Sequence, residues 1–419
     1  VTSEILRDGR RDSPVDGPYA WFRLAVCVLL STTASIGMWS VVVVLPYIQA
    51  EFGVDRASAA VPYTLTMVGF GLGNVIVGRL VDRFGIMWPI LAAAGTLGAG
   101  FMLASTTTEI WQMAILQGAL IGIGTSAGFG PLISNISHWF ARRRGIAVAA
   151  TASGNYIAGA LWPTMLQASM AADGWRTTYF GIGILCIVIM VPLALLLRRA
   201  LPPEEEAAGA AAGSGVRSGS EALALAPQIT PRTLQILLMF AGVGCCVAMS
   251  MPQVHIVAYC ADLGYGVARG AEMLSIMLAG GIVSRLLSGV LADYIGGVRT
   301  LLLGAVLQCL ALFLFLPFDG LASLYIIAGL FGLSQGGIVP SYAIIVREYL
   351  PAREAGQRVG LVIMATLAGM AIGGWMSGWI FDATGSYDMA FVNGIAWNLL
   401  TITIMVLLLA QTRRLRTAG

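Results

Sequence analysis

The chain has 419 residues, 58% of them hydrophobic and 11% charged, with a net charge of +3. Soluble domains carry about 25% charge, and apolar runs of about 20 residues recur here from end to end, which excludes a soluble globular domain and points to an α-helical protein crossing the membrane many times. The alternating segments of about ten residues that make a membrane β-barrel are missing.

The chemistry of a catalyst is missing too. There is no nucleotide-binding loop, no metal-spaced His/Cys/Glu cluster and no nucleophile–base pair at membrane depth, so no enzyme activity, cofactor, metal or nucleic-acid partner is expected. The six cysteines fall within or at the ends of apolar runs and read as small buried hydrophobes. All 24 basic residues are arginines.

In chain order, residues 1–18 form a polar, basic tail. Twelve spans follow, near 21–48, 59–80, 87–106, 110–138, 145–170, 178–199, 232–260, 269–292, 299–318, 321–347, 356–381 and 389–411. Residues 200–231 interrupt them with a low-complexity Ala/Gly/Ser/Pro/Glu stretch that reads as a flexible linker. The expected organisation is a six-span half over 19–199, the linker over 200–231, a second half over 232–412 and a tail over 413–419. With both termini in the cytoplasm, the outer loops hold only Arg56, Arg176 and Arg269. Arg285 is intramembrane, and the remaining 20 arginines lie on the inner side. The positive-inside rule favours that orientation.

The halves repeat. An offset of 211 residues superimposes Gly53 on Gly264, Gly69 on Gly280, Gly78 on Gly289, Asp82 on Asp293, Gly85 on Gly296, Gly118 on Gly329 and Gly145 on Gly356. Parallel six-span repeats place a substrate site near mid-membrane between the halves, with access alternating as the halves rock.

The loops after spans 2 and 8 read GRLVDRFG (Gly78–Gly85) and GVLADYIGG (Gly289–Gly297). They resemble the short cytoplasmic loop signature of the major facilitator superfamily. The resemblance implies an all-α polytopic fold of two six-helix halves related by a pseudo-two-fold axis. It also implies a gating role for Asp82, Arg83, Asp293 and the Arg142 cluster, whose ion pairs latch one conformation and break in the other. Tyr342, deep in span 10, is expected to help close that side.

Two further stretches, DGPYAW (Asp16–Trp21) and WFARRRGIAVAATASG (Trp139–Gly154), resemble the signatures of the monocarboxylate transporter family. That resemblance implies a small carboxylate as substrate, a proton as the expected co-substrate, and a span 8 arginine that binds the carboxylate. Arg285 stands at that position. The physics agrees. A buried guanidinium costs ~2.5–3.5 kcal/mol on insertion scales, offers a carboxylate two parallel hydrogen bonds and stays charged at any relevant pH. No acid stands mid-span to neutralise it. Two family features are absent: Trp39 stands where relatives carry a span 1 lysine, and Gly281 where they carry a span 8 aspartate. The family's lysine–aspartate proton handling therefore does not carry over.

Asn155 and Tyr156 on span 5, Ser334 and Gln335 on span 10, and Trp39 are further candidates for lining the substrate site. His255, beyond the Met251–Pro252 break in span 7, is the candidate for proton coupling. The expected function is a monomeric secondary transporter of lactate- or pyruvate-like monocarboxylates in a bacterial inner membrane, surrounded by lipid. An oxalate/formate-type exchanger, a drug exporter of the same fold and a non-transporting receptor are the alternatives.

Overall fold

The structure is a computed structural model that describes residues 15–199, 230–350 and 354–417. The expected linker, apart from its last two residues, and residues 1–14 and 418–419 of the expected tails lie outside the described residues.

Among the described residues, twelve helical rods make up the fold. The first half contains α1 (Pro18–Phe52, broken at Ser35), α2 (Arg56–Phe84), α3 (Met87–Ala104), α4 (Ile110–His138), α5 (Arg144–Asp173) and α6 (Trp175–Leu196). The second contains α7 (Pro231–Asp262), α8 (Val267–Ile295), α9 (Gly297–Leu314), α10 (Leu321–Tyr349), α11 (Ala355–Thr384) and α12 (Asp388–Thr417). Eleven of the twelve are long and apolar enough to cross a membrane by composition alone. The exception, α5, is 30 residues long but rich in Ala, Gly, Ser and Thr. Such a helix packs against other helices rather than against lipid.

Successive rods run in opposite directions, so Pro18 and Thr417 lie at one face, here the terminal face, and the α1–α2 and α11–α12 turns lie at the far face. The repeat is legible in the turns. Gly53 and Gly264 follow α1 and α7 at φ 61° and 82°, and Gly85 and Gly296 follow α2 and α8 at φ 75° and 83°. These left-handed conformations suit glycine and end the helices at matched points. The repeat is equally legible in helix crossings. A Cβ on Gly69 would stand 2.0 Å from the Gly118 carbonyl oxygen, and one on Gly280 would stand 3.2 Å from that of Gly329. Span 2 thus crosses span 4 where span 8 crosses span 10.

The two stretches that resemble monocarboxylate transporter signatures meet at the terminal face. Asp16, at φ 59°, donates its N–H to the Trp139 carbonyl, and its carboxylate accepts from the backbone N–H groups of Ala141 and Arg142. Trp21 packs edge-on against Phe140 at 5.1 Å, and the Arg23 guanidinium lies 4.4 Å from the Trp139 ring centroid. Arg23 also holds Asn135 and the carbonyls of Leu197 and Arg199. This clasp ties the starts of α1 and α5 to the ends of α4 and α6.

The halves touch chiefly along two seams, with smaller contacts from the second part of α1 to α7 and α8. At the first, α2 meets α11: Arg56 and Ala57 lie against Gly378, Tyr63 against Gly374, Thr64 donates to the Ala371 carbonyl at 3.1 Å, and Gly71 faces Met364. At the second, α5 meets α8: Gly159 lies against Leu278, Tyr156 against Gly281, and Ala152 against Arg285. Further toward the terminal face both seams part. A Cβ on Gly78, Gly145, Gly289, Gly356 or Gly360 would meet nothing within 4 Å. The molecule is closed at the far face and open between its halves at the terminal face.

Because the Gly69–Gly118 contact is backbone on backbone, no rotamer change relieves it. Gly69→Ala is expected to cost ~1–3 kcal/mol of overpacking and to lower the melting temperature of the purified protein. Gly95→Ala, where a Cβ meets open space, is expected to leave it unchanged. Thermal unfolding in detergent measures both.

Candidate functional site

Arg285 sits where the second seam ends. It lies four residues past the middle of α8, about 6 Å toward the terminal face at 1.5 Å per residue, and is partly exposed. Its Nη1 donates to the Ala152 carbonyl of α5 at 3.0 Å, across the boundary between halves, and its Nε points to the Gly336 carbonyl at 3.5 Å. Its Cζ lies 4.5 Å from the centroid of the Tyr156 ring. Among the described residues no acid pairs with it, and Nη2 has no protein acceptor.

Each of these contacts has a local cause. Span 10 breaks after Gln335 and resumes at Ile338. Within a helix the Gly336 carbonyl would accept from the N–H of residue 340, but residue 340 is proline. That carbonyl is left for Arg285. A Cβ on Gly336 would stand 2.1 Å from the Gly281 oxygen, so glycine is what lets the broken helix approach α8. Gly281 in turn faces Tyr156. A Cβ there would stand 2.4 Å from Tyr156 Cε1. The tyrosine ring fills the space that the family's aspartate side chain would need. In place of a counter-ion, Arg285 has an aromatic face and two carbonyls. A cation over an aromatic ring gains ~0.5–2 kcal/mol without cancelling the charge.

The other candidates divide into two groups. Trp39, 3% exposed, pairs with Asn155, the neighbour of Tyr156 on α5. Trp39 Nε1 donates to the backbone oxygen of Asn155 at 3.0 Å and to its Oδ1 at 3.1 Å. An indole N–H only donates, so it fixes the amide with oxygen toward Trp39 and leaves the amide nitrogen without a protein acceptor. Asn155 is partly exposed beside Tyr156. Ser334 and Gln335 instead turn inward, 4% and 0% exposed. Ser334 donates to the Phe331 carbonyl, and Gln335 accepts from Gln253 at 2.6 Å, tying α10 to α7. In this conformation neither faces the opening between the halves.

Of the residues expected to gate, Asp82, Arg83, Asp293 and Arg142 are exposed at the terminal face, where the seams have parted. No ion pair among the described residues joins the halves there. Tyr342 turns inward in this conformation. Rather than standing between the halves, it is 1% exposed inside the second half, with its hydroxyl 3.3 Å from Cys245 Sγ. The hydrophobic side of span 10 carries it into the core. His255 is fully buried at the far face, bonded to Tyr387 and to the Gly374 carbonyl.

Arg56, expected in an outer loop, has no signal in its own stretch of sequence that marks it as a site residue. In the structure Arg56 is 6% exposed and reaches from the first half into the second. Its Nη1 donates to Tyr387 Oη at 2.7 Å and its Nη2 to Asp262 at 3.1 Å. The Asp382 carboxylate caps the start of α2, accepting from the N–H groups of Arg56 at 2.9 Å and Ala57 at 2.7 Å. This is the one ion pair between the halves among the described residues.

Two six-helix repeats, seams that close at one face and part at the other, and a lone cation where the contact ends make a frame for alternating access. The model of the Major Facilitator Superfamily matches residues 27–288 and again 258–418. The chain belongs to the Major Facilitator Superfamily. Transport rather than catalysis is the activity of such proteins, and the fold expectation above holds in full. Among similar superfamily members, "Monocarboxylate transporter 13" of Rattus norvegicus is 25% identical over 406 residues, covering 95% of this chain and 91% of that protein. "MFS transporter asaE" of Aspergillus flavus is 24% identical over 394 residues, covering 92% and 86%. Among solved structures, the fold is similar to that of a bacterial homolog of the human lysosomal transporter Spinster in an inward-facing and unoccupied conformation. The TM-score there is 0.69 at 12% identity, covering 96% of this chain and 98% of that one.

The Tyr156–Gly281 contact makes a testable statement about the missing aspartate. Gly281→Asp alone is expected to lower thermal stability, because its side chain runs into the Tyr156 ring. Adding Tyr156→Ser is expected to recover much of the loss by making room beside Arg285. Melting curves of the single and double variants measure the coupling.

Proposed function

We propose that this chain is a proton-coupled secondary transporter of small monocarboxylates such as lactate or pyruvate. The observation that carries the reading is Arg285: a cation at the inner end of the opening, with no partner for Nη2 and no acid beside it among the described residues. A carboxylate docking there satisfies the free N–H and neutralises the site's charge. Asn155 supplies a second donor through its free amide nitrogen, and Tyr156 holds the guanidinium plane. One fixed cation suits one carboxylate. No charged residue lies between Val359 and Ile380 in α11 to take a second. The likeness to a protein named a monocarboxylate transporter supports the same substrate class.

In this reading the terminal face is cytoplasmic, as the distribution of arginines favours, and the conformation is inward-facing. Substrate loading removes the uncompensated charge, which lowers the cost of burying the site as the terminal-face seams close. Asp82, Arg83, Asp293 and Arg142 then come into reach of partners on the opposite half. The transporter works as a monomer in a bacterial inner membrane, and the proton is its co-substrate.

The test is uptake of labelled lactate into proteoliposomes with an inward proton gradient. Arg285→Ala is expected to cut uptake by about tenfold or more, and Arg285→Lys nearly as much, since one charge-assisted bidentate contact is worth well over 1.4 kcal/mol. Wild-type uptake in both variants contradicts the reading. Uptake that persists after the gradient is collapsed, driven by a carboxylate trapped inside, favours exchange over symport.

A further inference from the structure

The far-face latch contains a hydrogen-bond chain whose direction can be worked out atom by atom. The Gly374 carbonyl only accepts, so His255 Nε2, 2.7 Å away, carries the hydrogen. Arg56 Nη1 only donates, so Tyr387 Oη, 2.7 Å away, accepts from it. The Tyr387 hydroxyl hydrogen then points to His255 Nδ1 at 3.0 Å. Burial pushes the Tyr387 phenol well above its usual range, so that hydrogen is always present. The chain Arg56 → Tyr387 → His255 → Gly374 is complete only when His255 is neutral with its Nδ1 accepting. Arg56 belongs to the first half and the other three to the second, so the chain spans the gate.

We propose that His255 is a proton-binding site that releases this latch: a proton on Nδ1 breaks the chain and opens the far face. Protonated Nδ1 becomes a donor. Tyr387 Oη then faces two donors, and its own hydrogen has no acceptor in a site only 2% exposed. A second cation also stands one phenol oxygen from the Arg56 guanidinium, whose Nε is already buried without a partner. Charged or titratable neighbours come from every element around His255. They are Arg56 and Tyr63 from α2, Tyr259 and Asp262 from α7, Asp319 from the α9–α10 turn, Asp382 from α11, and Tyr387 and Asp388 at the start of α12. The two acids bonded to Arg56 are already engaged in the closed form: Asp262 pairs with Arg56, and Asp382 caps α2. The imidazolium is tolerated only once the halves part and water reaches it. By linkage, acid then favours the far-open form.

The inference rests on the alternating-access part of the proposed function and not on its substrate. A measurement with no carboxylate present separates the two. Spin labels on genetically encoded residues at Thr108 and Thr384, exposed on opposite halves at the far face, report the gate in purified protein. Between about pH 8 and about pH 5.5, a window spanning the ordinary histidine range, the wild-type long-distance population is expected to rise several-fold. His255→Gln keeps a donor for Gly374 and an acceptor for Tyr387 but takes no proton. It is expected to stay closed throughout. Arg56→Gln is expected to be open at both pH values. A wild-type distribution that ignores pH overturns the proposal. So does a pH response that survives in His255→Gln, or one that disappears only in Asp262→Asn.

Discussion

The costliest feature of this fold is a guanidinium on a membrane-spanning helix with no counter-ion among the described residues. Arg285 is partly exposed, and no acid among the described residues neutralises it. It is held by two carbonyls and an aromatic face, each of which stabilises a cation without removing its charge. The broken span 10, the proline that frees the Gly336 carbonyl, and the glycine that lets Tyr156 lie against α8 are all needed to build that setting. A charge left uncompensated in this way is a standing preference for an anion.

The seams give that preference a direction. Contact between the halves runs from the far face to Arg285 and to Gly71 and then stops. The glycines beyond, Gly78 with Gly289 and Gly145 with Gly356, are repeat partners that face open space here. Small residues in such places let helices close on one another. The far face carries the opposite bias, where Arg56 draws a carboxylate and two aromatic rings, one of them the Tyr387 phenol, from the other half. Coupling between the two faces needs no wire, because rigid halves that meet at one end part at the other.

Much of this was legible in the sequence. Apolar length and the arginine distribution set out the spans. The 211-residue offset set out the repeat, down to the matched left-handed glycines after α1, α2, α7 and α8. Arg285 stood out because intramembrane charge is costly. Its surroundings were harder to read. Tyr156 fell on the cation, with Asn155 next to it in sequence, because α5 is a seam helix, whereas Ser334 and Gln335, equally polar, turned into the second half. A helix position does not reveal which neighbour it faces. Tyr342 likewise turned into the second half. Arg56 was missed because an arginine at a loop edge looks solvated, and its partners Asp262, Asp382 and Tyr387 lie more than 200 residues away. The GG-x-x-P pattern at Gly336–Pro340 was a readable signal of a freed carbonyl.

The central claim is that Arg285 is a site for a carboxylate as an anion, not merely for a small polar molecule. Calorimetric titration of the purified protein with lactate and with lactamide, an uncharged analogue of nearly the same shape, tests it most directly. The account predicts saturable binding of lactate, no binding of lactamide at the same concentrations, and loss of the lactate signal in Arg285→Gln. Equal binding of the two, or lactate binding that survives in Arg285→Gln, would contradict it.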